Sequence, residues 1–380
     1  MSALNDTCIL IVAGGTGGHI SPGIALYESF REAGVRTLFL SGKRDERFSS
    51  LDDVSAESLH YYRSPSFSKN PVKLALFPAG FAAAMLHARA LIRKHDVKAV
   101  IGMGGYVSAP ALLTAALMKV PLFLCEQNSV PGKVTKFFET YAQKIYGTFR
   151  GAAVFMTSRE KYVIAGNPIR KKVLADAFKE DARKAFHLGH CKKVILVIGG
   201  SQGAVRINEL IFNIKKEHSD ELKNVGIIWS TGDFSYEKYR EKINNEIDAG
   251  SIYLSPFIDK VGLAYRAADI AISRSGAGVM MELAAMGVPS IQIPYPYAAD
   301  NHQEGNADEF VQAGAAVKIS NEDAVPEKVM PVLHDLMNNP RALQRMSERA
   351  LGAAKVDAAD VIVKDIVKQT ATPPSPVGGV

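Results

Sequence analysis

Short apolar runs alternate with amphipathic segments along the first half of the chain. Four runs have the length and composition of buried strands: 8–13, 37–41, 99–103 and 121–126. The segments 21–33 and 107–118 between them repeat apolar residues with the period of a helix. This alternation predicts a parallel sheet that is covered by helices on both faces.

The same alternation restarts after residue 190. An apolar run begins at Lys193 and leads into a glycine turn, which is followed by a helix that starts near Val205. Further strands are predicted within 225–232, 252–257, 269–278 and 289–296. The predicted fold class is therefore α/β, with two Rossmann-like, doubly wound domains that face a cleft.

The Gly-Asn-Pro sequence at 166–168 interrupts the pattern and predicts a domain boundary. We therefore expect an N-terminal domain at 1–168 and a C-terminal domain at 169–352. A last helix, at about 353–369, could pack on either domain. Residues 370–380 are rich in proline and glycine, which predicts a disordered tail.

Composition narrows the function classes. A chain of 380 residues suits two domains. Three distant cysteines, Cys8, Cys125 and Cys191, match no metal-binding spacing and favour a reducing compartment. The chain starts without a signal-peptide pattern and has no run of the ~18 apolar residues that a membrane span needs. The net charge of +6 is spread along the chain, which favours anionic partners but argues against nucleic acid.

A glycine-rich loop, AGGTGGH at 13–19, connects the first strand to the first helix. Backbone N–H groups in this context can hold an anion. The loop is not the dinucleotide fingerprint, because Ile20 stands where the third glycine belongs and no acid ends the second strand at Ser41-Gly42-Lys43. A tight turn without a ligand is the alternative interpretation of this motif alone.

Two further glycine loops follow predicted strands, at 102–110 and 199–204. Three such loops at strand ends are hard to explain as turns only, because ligands of doubly wound sheets bind beyond the carboxyl ends of the strands. We therefore expect a site for a phosphate-rich ligand at the domain interface.

Segment 273–307 supplies polar side chains suited to a nucleotide sugar. A helix that follows Ser275-Gly276 carries Glu282, which could bind both hydroxyls of a ribose while the helix N-terminus faces a diphosphate. His302, Gln303 and Asn306 offer donors and acceptors for sugar hydroxyls. The alternatives are a solvated helix acid and a polar helix start.

Seven motifs occur in one order: GGTGGH, GMGGYVSAP, EQNSVPG, GNPIR, GGSQGA, SRSGA with a following glutamate and GVP, and HQ with NA. In this combination, which spans residues 14–307, they resemble the MurG family of glycosyltransferases (family 28). The resemblance implies the GT-B fold, with the acceptor bound by the N-terminal domain and UDP-GlcNAc bound mainly by the C-terminal one. It also implies that the last helix packs back on the first domain.

The activity that the resemblance implies is an inverting transfer. GlcNAc moves from UDP-GlcNAc to the C4 hydroxyl of MurNAc in undecaprenyl-pyrophosphoryl-MurNAc-pentapeptide (lipid I), which gives lipid II for peptidoglycan. Roles in cell-wall biogenesis, cell shape and cell division are implied with it. No cofactor is implied, and no metal either, because no Asp-x-Asp motif lies near the loops.

The resemblance also implies a donor site, residue by residue. Ile258 would meet the uracil and Glu282 the ribose, and Ser201 and Arg170 would meet the diphosphate. A loop along the nucleotide is implied for Ala277, Gly278, Val279, Met280 and Met281. The sugar hydroxyls would be held by Gln303, with His302 beside it. The residues that would complete the sugar site from the first domain are Asn128, Thr16, Gly17 and Gly18. Many relatives have two glutamines at 302–303, and some have a threonine within 278–281; this chain differs at both places.

His19 is the main candidate for the general base, since a histidine can accept a proton near neutral pH. Glu126 and Tyr106 are its competitors. A histidine at a helix start that only bonds to the backbone is the structural alternative.

Segment 69–94 is expected to contact the membrane that carries lipid I. Leu74, Phe77, Phe81 and Met85 share one helical face, and Lys69 and Lys73 flank it. Such a stripe also suits a buried core face, but the membrane-facing patch of the family lies in the same region. The resemblance therefore implies a peripheral enzyme on the cytoplasmic face of the bacterial membrane that binds anionic lipids. Other cell-wall synthesis or division proteins stay open as partners.

Three alternatives remain at the level of the sequence. An NAD-dependent oxidoreductase is disfavoured by the missing third glycine and ribose acid. Another GT-B enzyme, such as a diacylglycerol glycosyltransferase or a UDP-GlcNAc 2-epimerase, shares the fold but not the full motif set. A non-catalytic protein that only binds a nucleotide sugar is the third.

Overall fold

The computed structural model describes residues 7–64, 76–174, 176–200, 203–247 and 250–371. The chain divides into two compact units. The N-unit consists of Met1–Arg170 and Val356–Val380, and the C-unit consists of Lys171–Lys355. The division therefore lies two residues after the predicted boundary at 168, and the chain returns to the N-unit three residues after the predicted position at 352.

The N-unit contains a parallel sheet with the strand order β3-β2-β1-β4-β5-β6-β7. Its strands are Cys8–Val12 (β1), Arg36–Gly42 (β2), Leu59–Tyr62 (β3), Val97–Gly102 (β4), Leu122–Glu126 (β5), Lys144–Gly147 (β6) and Tyr162–Ile164 (β7). Among the described residues, the helices that precede the C-unit are Gly17–Glu32 (α1), Phe77–Lys94 (α2), Gly105–Leu117 (α3) and Lys133–Phe138 (α4). The order reverses at β1, as in a doubly wound fold.

The C-unit repeats this arrangement with the strand order β10-β9-β8-β11-β12-β13, again parallel. The strands are Lys193–Ile198 (β8), Val225–Ser230 (β9), Ile252–Ser255 (β10), Ile270–Ser273 (β11), Ser290–Gln292 (β12) and Ala316–Lys318 (β13). The helices are Lys179–Ala185 (α5), Val205–Glu217 (α6), Asp233–Glu246 (α7), Val261–Ala267 (α8), Ala277–Ala285 (α9), His302–Gln312 (α10), Pro326–Asn338 (α11) and Pro340–Ala353 (α12).

The central strands are apolar along their whole length because helices cover both faces of each sheet. All five residues of β1 are buried. Ile9 and Ile11 pack in one core cluster with Phe30 of α1, whereas Leu10 and Val12 pack in another on the opposite face. The predicted alternation of strands and helices is confirmed. Four strands at or near the sheet edges, β3, β6, β7 and β13, were not predicted, because they are short and lack a continuous apolar run.

The last helix, Ala358–Ala371 (α13), belongs to the N-unit and packs against α1. Ile362 and Ile366 are buried in the same cluster as Phe30. The Ser29 hydroxyl donates a hydrogen bond of 2.6 Å to Asp360. Residues 370 and 371, expected in the tail, belong to this helix, and the rest of the predicted tail lies outside the described residues.

Asp365 links α13 to β6. Its carboxylate accepts hydrogen bonds from Lys144 Nζ at 2.7 Å, Tyr146 Oη at 2.8 Å and Gln369 Nε2 at 3.1 Å. Burial, which raises the pKa of Asp365, is outweighed by the hydrogen bonds from Lys144 and Tyr146, so its pKa lies below the usual value. The stabilisation is therefore complete above about pH 4 and is lost as the pH falls through the lowered pKa.

We expect Asp365→Ala to lower the unfolding free energy of the N-unit by about 1–2 kcal/mol, because the Lys144 and Tyr146 groups lose their acceptor. Buried Cys8 and Cys125 lie in the N-unit, so their rate of thiol labelling in urea reports its opening. The single tryptophan, Trp229, lies in the C-unit and should keep its fluorescence midpoint. Lys364→Ala, at an exposed position on the same helix, is the control; an equal shift in both variants would contradict the role of Asp365.

Candidate functional site

The first glycine loop of the N-unit is folded around a carboxylate of its own chain. Gly15 has φ +85°, a value that favours glycine, and its N–H donates to both oxygens of Asp45 at 3.0 and 3.1 Å. The Ser41 hydroxyl (3.0 Å) and the Gly42 N–H (3.1 Å) donate to the same carboxylate. The Gly15 amide is therefore already occupied, and any anion at this loop would have to meet the first turn of α1.

That first turn contains Thr16, Gly17 and Gly18. The first amides of a helix have no partner within the helix, so their N–H groups and the helix dipole favour a negative ligand. Gly17 and Gly18 also carry no side chain that would block an approaching group. Three of the residues predicted for the sugar site thus lie together at one helix N-terminus.

His19 lies between the first and second glycine loops. Its Nδ1 is 3.1 Å from Thr16 Oγ1. A methyl group on Gly104 would lie 3.2 Å from His19 Nε2, and one on Gly105 would lie 3.2 Å from Nδ1. Both glycines have positive φ, of +91° and +74°. The second loop therefore needs glycine for its backbone shape and also for the close approach of the imidazole.

The two competing bases lie in different surroundings. Glu126 is buried, and its carboxylate accepts N–H groups from Asn128 and Gly132, both at 3.0 Å, so it closes the 126–132 loop. Burial raises the pKa of Glu126, although these hydrogen bonds and one from Thr135 oppose the shift. Tyr106 is exposed on the first turn of α3. Glu126 thus has a structural task that Tyr106 does not have.

The glycine loop of the C-unit packs tightly against the end of β9. Gly203 has φ +75°, and a methyl group there would overlap with the carbonyl oxygen of Thr231. The same carbonyl accepts a hydrogen bond of 2.9 Å from Asn208 Nδ2, and Asn208 Oδ1 accepts one of 2.9 Å from Trp229 Nε1. This buried network holds the loop end, β9 and α6 in one arrangement.

Gly203→Ala should lower the unfolding free energy of the C-unit by about 1–3 kcal/mol, because alanine is strained at positive φ and its methyl group has no room. Trp229 fluorescence during urea unfolding measures this directly, since Trp229 belongs to the same network. Gly352→Ala is the matched control: nothing lies within 4 Å of its added methyl group, and glycine is a poor helix former. An unchanged midpoint for Gly203→Ala would show that the loop can move away at no cost.

Glu282 is positioned by a buried tyrosine. Tyr265 Oη donates a hydrogen bond of 2.7 Å to Glu282 Oε2, and Tyr265 is almost fully buried on α8. Glu282 lies on α9, whose N-cap is Gly276. The buried Ser275 hydroxyl just before this helix has no hydrogen-bond partner in the described part of the chain. Its carbonyl oxygen accepts Nδ2 of Asn306 at 3.1 Å, so Asn306 supports this turn and is buried away from solvent.

Residues 277–281 are helical, and the expected loop along a nucleotide is not observed. They form the first half of α9, in which Ala277, Met280 and Met281 are buried in the C-unit. Gly278 and Val279 are half-buried. The two methionine side chains thus pack in the interior of the C-unit, while the backbone N–H groups of the first turn are suited to an anion.

The pair His302-Gln303 lies at the start of α10. Gln303 Oε1 accepts the Tyr295 N–H at 3.0 Å, and His302 Nδ1 lies 2.7 Å from the carbonyl oxygen of Ala299. Both side chains thus hold the segment that follows β12. The orientation of the Gln303 carboxamide is set by the donor it meets, so its NH₂ group points away from that N–H.

The remaining predicted residues are dispersed. Ile258 is buried just after β10. Arg170 is the last residue of the first N-unit segment; its Nη1 lies 3.5 Å from Asp53 Oδ2, and its buried Nε has no partner among the described residues. Ser201 lies outside the described residues, as do Leu74, Lys69 and Lys73 of the predicted membrane stripe.

The carboxyl ends of the C-unit strands, rather than its cavity, carry the predicted donor residues. A cavity of about 640 Å³ opens at the other edge of the sheet, beside the amino ends of β8, β11 and β12 at Lys193, Asp269 and Pro289. The glycine loop and Glu282 follow the carboxyl ends of β8 and β11. Among the described residues, no group of three or more His, Cys, Asp or Glu side chains could hold a metal ion.

Sequence reasoning missed three positioning residues: Asp45, Tyr265 and Asn208. Asp45 lies three residues after Gly42, just beyond the end of β2 at which a ribose acid would be expected. Asn208 is a polar residue on the apolar face of α6, flanked by Ile207 and Leu210, which was the available signal. Tyr265 gave no signal, because a buried tyrosine in a helix looks like an ordinary core residue.

Comparison with known proteins identifies the family to which both units belong. Residues 9–147 match the glycosyltransferase family 28 N-terminal domain, and residues 194–362 match the glycosyltransferase family 28 C-terminal domain. The chain is 33% identical over 371 residues to the UDP-N-acetylglucosamine–N-acetylmuramyl-(pentapeptide) pyrophosphoryl-undecaprenol N-acetylglucosamine transferase of Halothermothrix orenii, which covers 96% of this chain and 99% of that protein.

Solved structures support the same assignment. The crystal structure of Acinetobacter baumannii MurG superposes with a TM-score of 0.73 at 26% identity and covers 95% of this chain and 99% of that one. A Neisseria meningitidis UDP-GlcNAc 2-epimerase bound to UDP-GlcNAc has a TM-score of 0.68 at 14% identity, covers 95% and 100% of the two chains, and shows the fold alone. The predicted α/β class with two Rossmann-like units of GT-B type is confirmed, and the chain belongs to glycosyltransferase family 28.

Proposed function

We propose that this protein transfers GlcNAc from UDP-GlcNAc to the C4 hydroxyl of MurNAc in undecaprenyl-pyrophosphoryl-MurNAc-pentapeptide. The observation that carries the proposal is the 33% identity, over nearly the full length of both chains, to a transferase named for this reaction. The same two family domains cover both units, and the glycine loops and Glu282 lie within them. An epimerase fits less well, because its likeness is limited to the fold.

The C-unit is the proposed donor-binding unit. Glu282 would accept hydrogen bonds from the two ribose hydroxyls through its carboxylate, whose Oε2 is oriented by Tyr265. The first turn of α9, after Gly276, would meet the diphosphate with its N–H groups. Ser201, Arg170 and Ile258 keep the roles that the family resemblance implies, at the diphosphate and the uracil.

Departure of UDP needs its developing negative charge to be stabilised. Fixed backbone N–H groups and a helix N-terminus do this without reorganising during the reaction. The α9 N-terminus and the Gly199–Gly200 turn after β8 are such groups in the C-unit. We propose no cofactor.

The N-unit is the proposed acceptor-binding unit. Gly17 and Gly18 on the first turn of α1 suit the lipid pyrophosphate, while the Gly15 N–H is occupied by Asp45. His19 would remove the proton from the C4 hydroxyl as the general base. Asn128 would keep the contact to the donor sugar that the family resemblance implies. A base that acts through Nε2 requires the tautomer in which Nδ1–H donates to Thr16 Oγ1, the contact of 3.1 Å.

The acceptor is lipid-linked, so we also propose peripheral binding at the cytoplasmic face of an anionic membrane. No described helix is long and apolar enough to cross a membrane. In α2 the exposed face is not the expected one: Phe77, Phe81 and Met85 are half-buried. Leu76, just before α2, and Leu86 are 62% and 66% exposed, and Arg89 and Arg93 on the same helix are exposed.

Replacing Leu76 and Leu86 together by aspartate should weaken binding to vesicles at least about tenfold, because two apolar side chains no longer enter the lipid and two negative charges face anionic headgroups. Co-sedimentation with vesicles of phosphatidylglycerol and phosphatidylethanolamine measures this. Leu351→Asp, at an exposed leucine of the C-unit, is the control. Equal binding of the double variant and the wild type would show that this part of the chain does not contact the membrane.

The function is tested by the dependence of UDP release on the acceptor. The purified chain is incubated with UDP-GlcNAc and with lipid I, with diacylglycerol, or with no acceptor. The proposal predicts that UDP is released only when lipid I is the acceptor. Release with diacylglycerol only, or conversion of UDP-GlcNAc to its 2-epimer without acceptor, would assign the chain to one of the other two activities.

A further inference from the structure

Two tyrosines, Tyr295 and Tyr297, lie in the segment that follows the carboxyl end of β12. Tyr297 is 82% exposed and Tyr295 is 43% exposed. Their rings pack edge to face, with centroids 5.6 Å apart and an interplanar angle of 73°. Ligands of doubly wound sheets bind at this edge. An exposed aromatic pair here is a contact surface that the core of the C-unit does not use.

A buried arginine, Arg274, supports the tyrosine pair through the Tyr295 ring and through the backbone that precedes it. Arg274 Nη1 donates to the carbonyl oxygens of Ile293 at 3.0 Å and Pro294 at 2.9 Å, and to Asn321 Oδ1 at 2.8 Å. The guanidinium carbon lies 5.5 Å from the centroid of the Tyr295 ring. Burial lowers the pKa of Arg274 to about 10, so the group stays charged near neutral pH and keeps its attraction to the ring.

The backbone of the segment is restricted as well. Pro294 and Pro296 flank Tyr295 and limit φ. The Ala298 N–H donates to the Tyr295 carbonyl oxygen at 3.2 Å, which closes a turn around Tyr297. A surface that is already ordered loses little conformational entropy when a ligand binds. The tyrosines are therefore better suited to contact a ligand than a mobile loop would be.

Gln303 connects this segment to the proposed sugar site. Its Oε1 accepts the Tyr295 N–H at 3.0 Å, which leaves its NH₂ group to donate to the oxygen of a sugar hydroxyl. The Gln303 carboxamide is thus hydrogen-bonded to Tyr295, and Tyr297 packs on the ring of Tyr295. A pyranose ring needs both kinds of contact, because it has hydroxyls at its rim and C–H groups on its faces.

We propose that Tyr297, supported by Tyr295 and Arg274, is a stacking platform for the pyranose ring of the donor sugar; this rests on the proposed function of the C-unit. The C–H groups on a face of GlcNAc carry a small positive charge and pack against the electron-rich face of an aromatic ring. Tyr297 therefore determines how tightly the sugar is held, separately from the nucleotide.

The test compares two ligands on the full-length protein. Calorimetry with UDP-GlcNAc and with UDP is carried out on the wild type, Tyr297→Ala and Tyr297→Phe. We expect Tyr297→Ala to weaken UDP-GlcNAc binding about three- to tenfold and to change UDP binding by less than about twofold, while Tyr297→Phe keeps the wild-type affinity. Phe178→Ala, at an exposed aromatic residue beside the cavity at the other sheet edge, should change neither.

Other outcomes overturn the platform. Equal losses for UDP and UDP-GlcNAc would assign Tyr297 to the nucleotide, and no loss for either would remove it from the donor site. A raised KM for lipid I with unchanged UDP-GlcNAc affinity would assign it to the acceptor. An unchanged Trp229 unfolding midpoint confirms that each variant is folded. If the wild type itself does not bind UDP-GlcNAc, the proposed function fails, and the platform fails with it.

Discussion

Replacing His19 by alanine should lower kcat by about 10²- to 10⁴-fold, the range that a positioned general base contributes. The expected loss lies in kcat because the imidazole acts on the reacting proton. KM for UDP-GlcNAc should change little. Initial rates with lipid I at saturating donor measure the effect.

A pH profile separates a base from a residue that only positions the acceptor. A general base must be deprotonated, so the wild type should lose activity on the acidic side and the His19→Ala variant should lose that limb. His218→Ala, at a histidine beyond the C-terminal end of α6, is the control and should have wild-type kinetics. Near wild-type turnover of His19→Ala would exclude the base role, and reduced turnover with an unchanged pH profile would assign positioning.

Asp45→Ala should lower the unfolding free energy of the N-unit by roughly 3 kcal/mol. Its buried carboxylate is the acceptor for the Gly15 N–H, the Gly42 N–H and the Ser41 hydroxyl, and each donor left without a partner in the interior is costly. The first glycine loop should also lose its shape, so transfer activity falls together with stability.

Thiol labelling of Cys8 and Cys125 in urea measures the stability of the N-unit, and Trp229 fluorescence reports the C-unit as an internal reference. Asp45→Asn keeps the size of the side chain but replaces one acceptor oxygen by a donor, so it should also destabilise. Asp52→Ala, at an exposed acid seven residues later, is the control. A loss below about 0.5 kcal/mol for Asp45→Ala would show that water replaces the carboxylate, as at exposed sites.

The sequence predicts much of this fold because buried parallel strands consist of continuous apolar residues. β1, β4, β5 and β8 are found within three residues of their predicted limits. β3 and β7 were missed, because short edge strands are only partly buried and lack such a run. A local pattern cannot indicate a strand whose stability comes from the neighbour it pairs with.

The candidate site was likewise predictable from the sequence only in part. The glycine loops were found because positive φ and close approach restrict those positions to glycine. The direction of the side chains at 277–281 was not found, since α9 is apolar on nearly all sides and has no polar face to orient it. Asp45 and Tyr265 act through hydrogen bonds to residues 30 and 17 positions away, which no local pattern records.

The configuration of the new glycosidic bond tests the central proposal most directly. The purified protein is given UDP-GlcNAc labelled with ¹³C at C1 together with lipid I, and the lipid-linked product is isolated and examined by NMR. An inverting transfer to the C4 hydroxyl of MurNAc predicts that the label is found in the lipid fraction in a β-1,4 linkage. An α linkage, attachment at another hydroxyl, or label that stays in the water-soluble fraction would contradict the account.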